Sequence, residues 1–375
     1  MGDAGNGRRG RRPGGTEVAR LAGVSQKTVS RVFNNEPNVN EETRDRVLTV
    51  ARRIGYRPNG AARALLTGRT HRIGVISHGT AHFGPSSLLV ALERAARSLN
   101  YSLTIANSFE DDAGGPAAAA DNLLLQGVDA IILSEPVDYG GAPLVVDVPV
   151  LTLGTAPVVH APTVLFVHAA EGGRAAAEVT RHLLSLGHQT VHHIAGPQRW
   201  WAARERRQHW RDALVAAGAE VPEPLEGDWT PASGFRIGQV LAADPAVTAI
   251  FAANDDMAIG AIHALHAAGR SVPGDVSVAG FDDIPVAAHV WPPLTTVSSD
   301  NAELAEIGLR YLADYLDADE LGRDELGRDE LGRDELGPEE RGPRPAPPPE
   351  HVHQLVIRQS TAPPNEQRKG GRPTS

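Results

Sequence analysis

Within seven residues, Ser25-Gln26-Lys27-Thr28-Val29-Ser30-Arg31, the chain gathers three long donor side chains and three hydroxyls. With Val29 and Val32 turned inward at helical spacing, Gln26, Lys27 and Arg31 project together toward solvent. A glutamine amide can bond adenine at two points, and lysine or arginine reads the guanine edge in the major groove. The hydroxyls of Ser25, Thr28 and Ser30, with the N-terminus of the helix they open, suit phosphate contacts. An ordinary solvated helix face is the competing reading, and spacing alone favours base reading without excluding it.

The surrounding elements fit the task of presenting that face. Glu17 to Ala22 is amphipathic, with Val18, Ala19 and Ala22 on one side, and Gly23 breaks it. Ser25 can cap a second helix, on which Val29, Val32 and Phe33 face inward. After a polar turn (34–40), Val47, Leu48, Ala51 and Ile54 give a third helix its apolar side, and Gly55 closes it. Three short helices with a tight glycine turn predict an all-α helix-turn-helix domain over 16–57, behind a disordered basic leader at 1–15. Pro58, Ala61 to Leu66 and Gly68 predict a short helix or linker over 58–70.

Charge follows the same division. The 375 residues hold 36 Lys+Arg and 46 Asp+Glu, a formal net charge of -10. Residues 1–72 nevertheless hold 15 Lys+Arg against 6 Asp+Glu, so a basic module is joined to an acidic body. The absence of cysteine excludes disulfides, thiolate metal clusters and a cysteine nucleophile. No apolar run approaches the roughly 20 residues of a membrane span, and the basic N-terminus lacks the apolar stretch of a secretory signal, so a cytoplasmic location is expected.

From Arg72 onward, β-branched runs (73–76, 130–133, 148–153, 191–194, 249–251 and 276–279) alternate with Ala/Leu-rich helical patterns. That texture predicts an α/β body over 71–362, parallel sheets with helices on both faces and a crevice at the strand C-termini. Residues 319–338 repeat DELGR three times and end in DELGP, followed by a Pro-rich stretch. A period of five suits neither helix nor strand burial, so 318–350 is expected to be a mobile acidic insertion. Gln354 to Arg358 reads as a last strand, and 363–375 as a disordered tail.

Glu17-Val-Ala-Arg-Leu-Ala-Gly-Val-Ser, Thr28-Val-Ser-Arg-Val32, Asn34 and Gly55-Tyr-Arg-Pro-Asn59 closely resemble the LacI/GalR family of bacterial transcriptional regulators. The likeness continues through Gly187-His188, Ala195-Gly-Pro197, Asn254-Asp255, Gly280-Phe-Asp-Asp283 and Pro293-Leu-Thr-Thr296. It implies a two-subdomain, periplasmic-binding-protein-like body, with subdomain 1 at about 71–166 and 297–317 and subdomain 2 at about 167–296 and 351–362. It implies DNA contacts by Ser25, Gln26, Lys27, Thr28, Ser30, Arg31, Asn34, Tyr56, Asn59 and Arg63. It also makes 61–66 a hinge helix whose Leu65 wedges into a minor-groove step, although spacing alone would equally leave Leu65 a packing residue. Two positions depart from the pattern. Gly14 and Gly15 stand where a Thr and an aliphatic residue are usual, so a late or fraying first helix is expected, and Gly60 weakens the hinge.

In the body, Trp200-Trp-Ala-Ala-Arg-Glu-Arg206 looks like the family segment whose second arginine grips the ligand. The resemblance places Asn254 and Asp282 at ligand hydroxyls and Trp229 as an aromatic wall, with Phe83 and Ser86 as weaker candidates. A donor fork, a carboxylate, an amide and an aromatic face suit a polyhydroxylated ring such as a sugar. Gly154 and Asn301 stand where some sugar-responsive members carry larger or charged groups. The expected protein is thus a homodimeric repressor of operator DNA, released by a small-molecule effector, with no cofactor. A corepressor-dependent regulator of a non-sugar metabolite and a transport solute-binding protein are the alternatives; residues 17–66 argue against the second. The adjacent carboxylates Asp255-Asp256 and Asp282-Asp283 diverge and lack a nucleophile beside them, so no enzyme is expected. His192 and His193 face opposite sides of a strand, so with His188 they make no zinc site.

Overall fold

The computed structural model describes residues 13–33, 38–57, 64, 68–78, 82–108, 115–134, 137–138, 143–154, 159–167, 171–326 and 353–365. The chain divides into two compact units, Met1–Thr70 and His71–Ser375.

The first unit holds α1 (Gly15–Ala22), α2 (Gln26–Phe33) and α3 (Glu41–Ile54). Val18, Ala19, Ala22, Val29, Val32, Val47, Val50 and Ala51 are its buried side chains. Leu48 and Ile54 are half-buried at the rim, and Val50 is buried in the centre instead. Arg46 donates to the Ala22 carbonyl at 3.0 Å and Arg44 to the Val32 carbonyl at 3.3 Å. Cations from α3 thus sit at the negative C-terminal ends of both other helices. Contrary to expectation, α1 does not begin late. Its N-cap is Gly14, and the bare Gly15 leaves room for Tyr56, whose hydroxyl would lie 3.2 Å from a Cβ there.

The second unit contains two lobes. In order its elements are β1 (Arg72–His78), α4 (Phe83–Ser98), β2 (Ser102–Ser108), α5 (Gly115–Leu125), β3 (Ala130–Ser134), β4 (Leu144–Val145), β5 (Val150–Leu153), β6 (Val159–His160) and β7 (Val164–Val167). There follow α6 (Glu171–Ser185), β8 (His192–Ala195), α7 (Trp201–Ala216), β9 (Leu225–Glu226), α8 (Pro231–Ala243), β10 (Ala249–Ala252), α9 (Asp255–Ala267), β11 (Ser277–Ala279), β12 (Thr296–Ser299), α10 (Asn301–Leu326) and β13 (His353–Val356).

Lobe 1 is built on the parallel sheet β2-β1-β3-β5-β7. One face packs on α4 and α10 through Leu92, Leu151, Leu309 and Leu312, and the other on α5 through Leu123. Lobe 2 is built on the parallel sheet β11-β10-β8-β9. Met257 and Leu265 cover one face, and Val179 and Trp210 the other. Central strands of such sheets are buried on both faces, which is why β1, β3, β5 and β10 are apolar for most of their length rather than alternating.

Two expected boundaries move. Val297 packs in the lobe 2 core and β12 pairs with β13, so the chain returns to lobe 1 after Ser299 rather than at 297. The helix α10 runs to Leu326, through the first nine residues of the segment expected to be a mobile insertion from 318. The reason lies in helix cooperativity. Leu304 to Leu316 nucleate α10 by packing, and each further residue adds a backbone hydrogen bond without needing a buried face.

Candidate functional site

On α2, Gln26, Lys27 and Ser30 are exposed, while Thr28 and Arg31 are half-buried. Ser25 caps the helix: its hydroxyl accepts from the Thr28 N–H at 3.0 Å and bonds the Thr28 hydroxyl at 2.9 Å. Gln26 accepts from the Thr16 hydroxyl at 3.4 Å, a tie between the starts of α1 and α2. Tyr56 packs edge-on against Phe33, with ring centroids 5.4 Å apart. Asn34, Asn59, Arg63 and Leu65 lie outside the described residues.

In the second unit, a cleft of about 340 Å³, open mouth included, is lined by His82, Gly84, Pro85, Trp200, Ala202, Arg206, Trp229, Asn254 and Asp282. Arg206, Asp282 and Asn254 on it are held by the fold. The Arg206 guanidinium donates to the Ala253 carbonyl at 2.6 Å, meets the Asp282 carboxylate at 3.4 Å and lies 3.7 Å over the Phe281 ring. Burial pushes the Asp282 carboxyl up to about 6, while the Arg206 charge opposes the rise. Asp282 itself has φ 105, a strained backbone for a non-glycine residue.

That strain is held from below by Asp255. Its carboxylate accepts from the Ile284 N–H at 2.9 Å and the Thr296 hydroxyl at 2.5 Å, and its own N–H donates to the Phe281 carbonyl at 2.8 Å. Burial, then the nearby Asp282 charge, raises the Asp255 carboxyl well above the usual range. Trp229 is buried and also left-handed, at φ 69. Its carbonyl accepts from the Asn254 amide at 3.0 Å, and the same Asn254 caps α9 through the Met257 N–H. The Trp229 ring rests on Gly196, where a Cβ would fall 2.2 Å from it, so only glycine fits that strand end.

Arg206, Trp229, Asn254 and Asp282, separated by up to 76 positions, therefore meet around one cleft. Ser86 is exposed on α4 and does not line it, and Phe83 packs instead against the lobe 2 core. His82 and Pro85, just beside these two, take the lining positions on lobe 1. Asn301 donates to the Ser87 hydroxyl at 2.6 Å, and Gly154 ends β5 with φ 99. Sequence reasoning missed His82 and Trp200 as lining residues; Trp200 lay inside the segment read for Arg206, and its indole was the available signal.

The remaining candidates have structural partners. His188 bonds Thr248 and Ser277, each at 3.0 Å, and the Ala362 carbonyl at 3.1 Å, tying down the last described segment. His193 is stacked between Trp210 and Phe251, and burial lowers its imidazole to about 4. Asp283 pairs with Arg358 at 2.6 Å. Among the described residues no three His, Cys, Asp or Glu side chains are grouped to hold a metal ion.

A helix-turn-helix unit joined to a two-lobed α/β body with a polar, aromatic-walled cleft defines a ligand-binding regulator class. Residues 16–59 match the model of bacterial regulatory proteins of the lacI family, and 180–327 match a periplasmic binding protein-like domain. The chain is 34% identical to the lactose operon repressor of Escherichia coli (strain K12), across 76% of this chain and 79% of that one. It is 36% identical to the HTH-type transcriptional regulator CelR of Thermobifida fusca, across 83% and 94%. The lac repressor dimer bound to operator and the anti-inducer ONPF superposes with a TM-score of 0.69 at 28% identity, covering 94% of this chain and all of that one. The chain belongs to the lacI family of bacterial regulatory proteins.

Proposed function

We propose that the protein is a sequence-specific transcriptional repressor that leaves its operator when a sugar binds the cleft. One observation carries the reading: a single chain holds both an exposed Gln26/Lys27 helix face and a cleft where Arg206, Asp282, Asn254 and Trp229 converge. Two similar solved structures are a lac repressor bound to operator and a CelR–cellobiose complex, which supports both halves of the reading. Ser25, Gln26, Lys27, Thr28, Ser30, Arg31, Asn34, Tyr56, Asn59, Arg63 and Leu65 form the DNA contacts, and Arg206, Trp229, Asn254 and Asp282 the effector contacts. The protein acts as a cytoplasmic homodimer on a palindrome with half-sites about one helical turn apart. It carries out no reaction and needs no cofactor.

The decisive experiment is a gel-shift titration of the full-length protein on the DNA upstream of its own coding region. Adding common mono- and disaccharides should release the shifted band for at least one of them. A protein that fails to bind this DNA at low salt, or binds it more tightly with every active ligand, would refute the repressor or the release step respectively.

A further inference from the structure

Lysine is nearly absent from this chain. Of its 36 Lys+Arg, all but Lys27 and Lys369 are arginines, and Lys369 lies outside the described residues. Lys27 is therefore the one lysine among the described residues, and it stands in the first turn of α2. Three arginines of the same unit are committed to its fold: Arg44, Arg46 and Arg52 donate to the carbonyls of Val32, Ala22 and Leu48. On α2 itself, Gln26 is tied to the Thr16 hydroxyl and Arg31 is half-buried. Lys27 is exposed, and its amine makes no hydrogen bond or ion pair with the described residues.

The rarity matters because the two cations differ in chemistry. A guanidinium stays protonated, whereas an amine that sheds its proton attacks activated acyl groups. An acyl phosphate is one such group, and its phosphate is an anion that the start of α2 suits. Ser25 takes the Thr28 N–H at 3.0 Å, which leaves the first two N–H groups of the helix, on Gln26 and Lys27, open at its positive end. The features read above as fit for a DNA phosphate thus surround the single described amine.

We propose that Lys27 is an acylation site at which an acyl phosphate switches operator binding off. The proposal rests on α2 being the helix that meets operator DNA. The unprotonated Nζ attacks the acyl carbon, and a C–N bond forms as the bond from that carbon to the phosphate oxygen breaks. The nitrogen's proton leaves with inorganic phosphate. The product amide has lost the charge and two of the three donors that the ammonium offered. Because no other described residue is a lysine, the modification is confined to the face where it changes DNA contact.

In the test, the full chain is incubated with acetyl phosphate. Acylation at Lys27 and Lys369 is read by peptide mass spectrometry, and operator affinity by gel shift before and after treatment. Lys27 should be acylated, and operator affinity should fall at least about tenfold in step with its occupancy. Lys369→Arg, in which Lys27 is the last lysine, should respond in the same way. Lys27→Arg, compared with itself before treatment, should not respond. Lys27 left unmodified, or acylated with operator affinity unchanged, overturns the proposal, and so does an equal loss in Lys27→Arg. Where Lys27→Arg binds operator too weakly to compare, Lys369→Arg decides: loss in step with Lys27 acylation supports the proposal and its absence overturns it. A chain that binds no operator before treatment refutes the repressor reading, and this proposal falls with it.

Discussion

Asp282 combines a strained backbone, a buried carboxyl and a cationic partner in Arg206, and that combination makes the cleft sensitive to acid. Its carboxyl is pushed up to about 6, so it takes a proton in the folded protein at a pH where an exposed aspartate stays charged. A sugar hydroxyl that donates to the carboxylate loses its charged acceptor as pH falls through about 6. Sugar affinity should therefore weaken from pH 7.5 to 5.5, and Asp282→Asn should bind more weakly at pH 7.5 with a flat profile, both read by calorimetry. Stability runs the opposite way for this group. Because its folded pKa is raised, its contribution improves as pH drops through about 6 toward the ordinary carboxylate range. Gly196→Ala forces the Trp229 ring off its seat, so sugar binding should drop at least about tenfold and the indole emission should shift. Arg206, Trp229, Asn254 and Asp282 were legible in the sequence because each is a distinctive type inside an ordered motif. Trp200 and His82 were not, since their roles exist only once the two lobes meet.

At the level of elements, the tightest joint is the crossing of α8 and α9. A Cβ at Gly260 would fall 2.0 Å from the Pro231 carbonyl oxygen, and one at Gly234 would fall 2.2 Å from that of Met257. These are backbone atoms and cannot swing away. Gly260→Ala should lower stability by about 1–3 kcal/mol in denaturant unfolding, through overpacking rather than through any loss of contacts. The central strands were visible as apolar runs. The edge strand β2, SLTIANS, was not, because half its side chains face outward and its polar residues mimic a loop. The extension of α10 into the repeat escaped for a different reason: the burial period governs where a helix packs, not how far its backbone ladder can run.

Across the whole molecule, the net charge of -10 conceals a basic first 72 residues and an acidic remainder. DNA affinity should accordingly fall steeply with salt, by at least about tenfold between 50 and 200 mM, as released counterions predict. Replacing Lys27 with alanine should reduce that salt slope if it holds phosphate, or relax base preference with the slope kept if it reads an edge. The lobes also interleave in the chain, and this has a bearing on birth at the ribosome. Lobe 1's sheet is complete at Val167, yet the leucines of α10 that cover Leu151 and Leu165 begin at Leu304, 137 residues later. At ordinary synthesis rates that nascent sheet stands partly uncovered for on the order of ten seconds, while the whole of lobe 2's sheet is still being made. One exposure to misassociation thus falls before release, in a half-built lobe that awaits a helix from much later in its own message.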